Sequence, residues 1–138
     1  MKKREPISHI MTKNVHFVNQ NETLENAVKL IKENNIHHLP VMNGRNVIGI
    51  ISSTDINRLT FGKLFEHQEG SEAAMVSSLT LEQVMTAQPQ VVQSDLSIKE
   101  VAEIFASANF HALPVLENDQ LVGIVTTTDM IKYLIEQY

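Results

Sequence analysis

The chain has no cysteine among its 138 residues, which excludes disulfides, thiolate metal sites and cysteine nucleophiles. It also lacks a basic excess: the formal net charge is −5 and the isoelectric point is about 5.6. Nucleic-acid polymers and anionic membrane surfaces recruit clustered Lys and Arg, so neither is expected as the main partner. The one basic cluster, Lys2-Lys3-Arg4, reads as a solvated terminus. No apolar run approaches the roughly 18 residues that span a bilayer, and none follows the charged start as a secretory leader would. The default compartment is the cytoplasm, with no membrane as partner. Ser52, His37 and Asp55 supply the residue types of a catalytic triad. They come without a nucleophile elbow or a Gly-rich phosphate loop, so no enzyme is expected.

What is present is a core-forming composition, 43% hydrophobic and 20% charged, in a chain long enough to bury about 68% of its unfolded surface. It is also a repeat. Shifted by 74 residues, the distance from Gly49 to Gly123, positions 7–59 align without a gap on 81–133. Identities fall at Met11/Met85, Thr12/Thr86, His37/His111, Leu39/Leu113, Pro40/Pro114, Val41/Val115, Gly49/Gly123, Thr54/Thr128 and Asp55/Asp129. The period is longer than a solenoid unit and indicates a duplicated subdomain. Repeat 1 is placed at 1–65, a linker at 66–78 and repeat 2 at 79–138.

Each copy opens with a helical turn, Pro6 to Met11 and Leu81 to Met85, the second headed by a Thr80/Gln83 capping box. Short extended pieces follow at Val15 to Val18 and Gln90 to Val92. Helices are expected from Thr23 to about Asn34 and from Ser97 to about Ala108, the latter with a Ser97/Glu100 capping box. Their apolar residues cover more than one stripe, so a protein partner is expected on the far face. Two hairpins come next, Leu39 to Met42 with Val47 to Ile51, and Leu113 to Leu116 with Leu121 to Val125. A last helix begins at each aspartate, running to about Phe65 in the first copy and to Tyr138 in the second.

The candidate sites are the corners between the second hairpin strand and the last helix, Gly49-Ile50-Ile51-Ser52-Ser53-Thr54-Asp55 and Gly123-Ile124-Val125-Thr126-Thr127-Thr128-Asp129. A helix N-terminus offers N–H groups and a partial positive charge to a phosphate. Ser52 or Thr126 adds a hydroxyl, and a carboxylate accepts bonds from neighbouring hydroxyls such as those of a ribose. Ser, Thr and Asp are also the preferred helix caps. Capping is taken as a second duty of a corner that occurs twice. His37, His38 and His111 invite a metal reading, but adjacent strand residues point to opposite faces and cannot readily share one ion. No metal site is expected.

Met-Thr near the start of each copy, His-x-Leu-Pro-Val in the middle and Gly-Ile-x-Ser/Thr-x-Thr-Asp at the end resemble the cystathionine-β-synthase (CBS) domain. The tandem resembles a CBS pair, or Bateman module. The resemblance implies a mixed α/β (α+β) fold of two β-α-β-β-α units packed sheet to sheet about a pseudo-twofold axis, with two clefts for adenosine ligands. Carried over, one cleft holds Ile50, Ser52, Thr54 and Asp55 with His37 and His38, facing Thr86, Gln90, Phe110 and His111. The other holds Ile124, Thr126, Thr128 and Asp129 with His111 and Ala112, facing Thr12, His16, Ile36 and His37. No cofactor is implied. The expected ligand is AMP, ADP, ATP or S-adenosylmethionine, with triphosphate disfavoured because no Arg or Lys stands at the position of His38 and Ala112. The expected function is a regulatory homodimer that reports ligand occupancy to an effector protein. The alternative is an oligomerisation module with vestigial, empty clefts.

Overall fold

The computed structural model describes residues 4–61 and 76–138, with side chains left aside at 59–61. Residues 62–65 of the first repeat's expected last helix, residues 66–75 of the expected linker and Lys2-Lys3 lie outside the described residues. The chain forms two compact units, His16–Pro89 and Met1–Val15 with Gln90–Tyr138.

The His16–Pro89 unit is built on a sheet in the order β1 (Val18–Asn19), β2 (His38–Asn43), β3 (Asn46–Ser52) and β4 (Thr86–Ala87). β1 runs parallel to β2, and the other pairings are antiparallel. Helices α1 (Leu24–Glu33), α2 (Ser53–Phe61) and α3 (Leu81–Val84) complete it. Leu39, Val41 and Ile51 alternate onto the sheet face that meets α1 and are fully buried. α1 starts where Thr23 Oγ1 accepts the Asn26 N–H at 3.1 Å, and it buries Leu24, Ala27, Val28 and Ile31, spaced i, i+3, i+4, i+7. Leu24, Val28 and Ile31 each contribute about 1.5–3 kcal/mol on burial, and Ala27 less.

The second unit has a 3-10 turn at Ile7–His9, then β5 (Val92–Gln93), α4 (Ile98–Ser107), β6 (Ala112–Glu117), β7 (Gln120–Thr126) and α5 (Thr127–Glu136), with sheet order β5-β6-β7. Thr12 bridges the free edge of β7 at Ile124 through two backbone bonds of 2.8 and 3.0 Å. It takes the place that Thr86 takes opposite Ile50 in the first unit. The opening Met-Thr segment of each repeat therefore belongs to the compact unit that holds the other repeat's hairpin.

Both hairpins close with two-residue loops. Gly44 has φ +61° in the first; Asn118 and Asp119 have φ +51° and +61° in the second, as a type I′ turn requires. The Thr80/Gln83 box forms as expected. Three expectations are corrected. The last helices start at Ser53 and Thr127, two residues before the aspartates, because Ser52 and Thr126 are the caps. At Ser97 the cap bond forms as expected, Glu100 N–H donating to Ser97 Oγ at 3.1 Å, but the Glu100 carboxylate takes the Ser97 hydroxyl proton at 2.9 Å and does not complete the box on the Ser97 N–H. There the Glu5–Ile7 segment crosses the helix start, with Ile98 N–H on the Glu5 carbonyl and Ile7 N–H on that of Leu96. The broad apolar surface read for α1 is in fact consumed by its own core, with only Leu30 left half-buried.

Candidate functional site: two capped corners

Both corners are reciprocal hydrogen-bonded boxes. Ser52 N–H donates to Asp55 Oδ2 at 3.0 Å, and Asp55 N–H donates to Ser52 Oγ at 3.0 Å. Thr126 and Asp129 repeat this at 3.0 and 3.1 Å. The aspartate is the N3 residue of its helix, where a carboxylate reaches back to the cap N–H and meets the positive end of the dipole. The first helical amides are occupied as well, Ser53 N–H by the His37 carbonyl at 2.8 Å and Thr127 N–H by that of His111 at 3.0 Å. These bonds leave out the Thr54 and Thr128 amides, so each corner offers an anion fewer donors than a bare helix start.

The hairpin register sets the neighbours. His38 pairs across the strands with Ser52, and Ala112 with Thr126, so the difference between the copies stands directly beside the cap. His38 is half-buried and Ala112 buried. His37 Nδ1 lies 3.2 Å from Ser53 Oγ, which brings Ser53, a residue outside the expected set, against the corner. The sequence signal was available: a hydroxyl also stands at the repeat-equivalent Thr127.

Of the expected residues, the first unit gathers His16, Ile36, His37, His38, Ile50, Ser52, Thr54, Asp55 and Thr86. The second gathers Thr12, Gln90, Phe110, His111, Ala112, Ile124, Thr126, Thr128 and Asp129. Thr54, Thr128, Thr86, His16, Gln90 and His111 are exposed, whereas Ile124 is buried and Ile36 packs half-buried on the first core. Phe110 is exposed and edge-to-face with Phe105, ring centroids 6.3 Å apart. Within the second unit Thr12 reaches its corner directly, with Oγ1 3.3 Å from Asp129 Oδ2.

The repeated glycine has a packing role. A Cβ on Gly123 would lie 2.5 Å from Met11 Sδ and 3.0 Å from the Thr12 carbonyl oxygen; one on Gly49 would lie 2.8 Å from Met85 Cγ. The opening methionines thus sit over the strand that leads into each corner. Among the described residues no three His, Cys, Asp or Glu side chains converge as metal ligands, and no helix is long and apolar enough to cross a membrane.

The family model of the CBS domain matches residues 7–61 and 81–136, so the chain belongs to the CBS-domain family and carries two copies of the domain. It is 27% identical over 132 residues to a CBS domain-containing protein of Dictyostelium discoideum, covering 94% of this chain and 91% of that protein. An uncharacterized protein of Methanocaldococcus jannaschii, MJ1225, is 28% identical over 131 residues, 94% of this chain and 47% of its own length. A homoserine O-acetyltransferase of Methanohalobium evestigatum is 28% identical across 96% of this chain, which spans 24% of that protein. The chain thus spans about half or less of the latter two. Among solved structures, CBSX2 in complex with AMP matches with a TM-score of 0.78 at 22% identity, covering 96% of this chain and 98% of that one. The CBS domain pair of MJ0100, in complex with 5′-methylthioadenosine and S-adenosyl-L-methionine, matches with a TM-score of 0.76 at 24% identity over the same shares. These likenesses establish the fold as that of a CBS pair.

Proposed function

We propose that the chain is a non-enzymatic regulatory module that binds an adenine nucleotide or adenosyl metabolite at its two corners and signals occupancy to a partner protein. The observation that carries this reading is the same capped corner built twice, each presenting an N3 carboxylate beside hydroxyls and one uncommitted amide. In the proposed mode one site is the corner Ser52–Asp55 with His37, His38, Ile50 and Thr86. The other is Thr126–Asp129 with Thr12, His111, Ala112 and Ile124. The box uses Oδ2 of Asp55 and leaves Oδ1 out of it, placed to accept a ribose hydroxyl. The scarcity of spare amides favours AMP, or an adenosyl ligand without phosphate, over ATP. The AMP and S-adenosyl-L-methionine complexes of the two structural relatives support that class.

In this reading repeats 1–65 and 79–138, joined by 66–78, act as one cytoplasmic homodimeric module. Ligand shifts its conformational equilibrium only by differential affinity for two states. The test is thermal unfolding with AMP, ADP, ATP and S-adenosylmethionine in turn. A ligand at 100 times its dissociation constant stabilises by about 2.7 kcal/mol, and Asp55→Ala and Asp129→Ala should each remove one site's share. The competing reading is an oligomerisation module with empty corners, favoured by boxes that already satisfy themselves. No shift with any of the four selects it.

A further inference from the structure

Each opening segment is held to its corner by the same device. Met11 and Met85 lie across Gly123 and Gly49, and the residue after each, Thr12 or Thr86, pairs with the strand at Ile124 or Ile50. Met11 fills the space that a side chain at position 123 would take, its Sδ 2.5 Å and its Cγ 2.9 Å from where that Cβ would lie. A seat of this shape admits a narrow, unbranched apolar chain, which methionine supplies. Among the described methionines, Met42 and Met130 are matched in the other copy by Leu116 and Ile56, whereas Met11 and Met85 match each other. The seat therefore brings an oxidisable sulfur to each corner. Neither residue is sealed from water: Met42 is buried, but Met11 and Met85 are half-buried.

The two seats differ in what backs them. In the first unit Thr86 and Ala87 form β4 on Ile50 and Gly49, and Gln88 N–H adds a bond of 3.0 Å to the Ile48 carbonyl. In the second unit Thr12 makes an isolated bridge to Ile124, and its hydroxyl reaches Asp129 no closer than 3.3 Å. Met85 thus covers the start of a ladder, and Met11 covers a single pair of bonds.

We propose that Met11 is a peroxide-sensitive latch on the second corner. A peroxide places one oxygen on the Sδ lone pair: the S–O bond forms, the O–O bond breaks and sulfur gives up two electrons. The departing hydroxide takes the proton of the transferred oxygen and leaves as water. The polar atom bordering the seat, the Thr12 carbonyl oxygen, is an acceptor and cannot satisfy the new one. The oxidised side chain turns out to water, the Thr12–Ile124 bridge loses its cover, and Thr12 leaves Asp129. The same oxidation of Met85 leaves β4 paired. Methionine sulfoxide reductase returns the thioether, so the latch is reversible. Its consequence for binding rests on the ligand reading above; the latch itself does not, and its test is made without ligand.

The experiment treats the full chain with hydrogen peroxide, maps sulfoxide by peptide mass spectrometry and follows amide hydrogen exchange at Thr12, Ile124 and Gln88, with circular dichroism confirming the fold. Conversion of Met11 should raise exchange at Thr12 and Ile124 about tenfold or more while Gln88 changes by less than about twofold, and the reductase should reverse the rise. Met11→Leu should abolish the response to peroxide. Met11→Gln, unbranched and polar, should show the raised exchange without peroxide, and decides the matter should the leucine variant fold poorly. Met130→Leu, which removes the other half-buried methionine described in that unit, should respond as the wild type does. Unchanged exchange at Thr12 and Ile124 with Met11 fully converted overturns the proposal, as does a Met11 that resists peroxide while the chain stays folded. A response lost in Met130→Leu assigns the effect to Met130 instead, and an equal rise at Gln88 overturns the difference between the two seats. None of these outcomes bears on whether the corners bind a ligand.

Discussion

Thr12 donates its hydroxyl proton to the carboxylate of Asp129, 117 positions away, at 3.3 and 3.4 Å from its two oxygens. Both distances exceed the usual O–H···O range, so the bond is weak. The corresponding pair, Thr86 and Asp55, makes no such bond among the described residues. The two corners therefore differ in how the carboxylate is met, as well as in His38 and Ala112 beside the cap. Thr12→Val should cost less than about 1 kcal/mol in urea unfolding without ligand. A cost equal to that of removing the Thr126 cap would show the contact to be tighter than its length implies.

The caps themselves should matter more. Ser52→Ala and Thr126→Ala each remove the oxygen that accepts the aspartate N–H, and each should cost about 1 kcal/mol by the same measurement. Ser52→Thr, which keeps the oxygen, should recover most of the loss. Neutral alanine variants would mean that water replaces the hydroxyl at no cost.

What was legible in the sequence was what chain neighbours decide. The Thr80/Gln83 box needs four residues and formed; the hairpins need a polar loop between β-branched runs and formed. The Ser97/Glu100 pattern looked equally good, but there a segment from the start of the chain crosses the helix, and no local pattern contains it. The corner residues were legible by type and duplication, although the helices begin earlier because a Ser or Thr followed three residues on by Asp is itself a capping box. Met11 over Gly123 and Met85 over Gly49 were visible only as paired identities. Which side of α1, α4 and α5 stays exposed was not legible, since counting apolar residues does not say how many the helix's own core absorbs.

The methionine contacts make the two glycines unequal. At Gly49 the nearest atoms to an added Cβ all belong to the Met85 side chain, whereas at Gly123 one is the Thr12 carbonyl oxygen at 3.0 Å. A flexible thioether can move aside; a backbone carbonyl paired to Ile124 cannot without breaking that bridge. Gly123→Ala should cost about 1–3 kcal/mol, and Gly49→Ala less. Combining Gly49→Ala with Met85→Ala should show a favourable coupling of about 0.5–3 kcal/mol. A smaller coupling is expected for Gly123→Ala with Met11→Ala. Equal costs at the two glycines would contradict the role given to the carbonyl.

The hydroxyl of Tyr133 donates to Glu5 Oε1 at 2.9 Å and ties the opening segment to α5. That bond first, then the loss of water around the ring and the charge of Glu5, raise the phenol above its ordinary 10.0. A group whose folded value lies above its unfolded one contributes stability that is fully present below the unfolded value and is lost as pH rises through the folded value. The chain has two tyrosines, so a Tyr138→Phe background leaves Tyr133 as the one phenol to follow by ultraviolet absorbance. Its ionisation should begin above the ordinary range, and Glu5→Gln should move it back by removing the charge while keeping an acceptor oxygen. Tyr133→Phe should flatten the alkaline fall in stability over the same window. Ionisation of Tyr133 at or below the ordinary value would mean that Glu5 does not hold it in solution, and that the opening segment is free of α5.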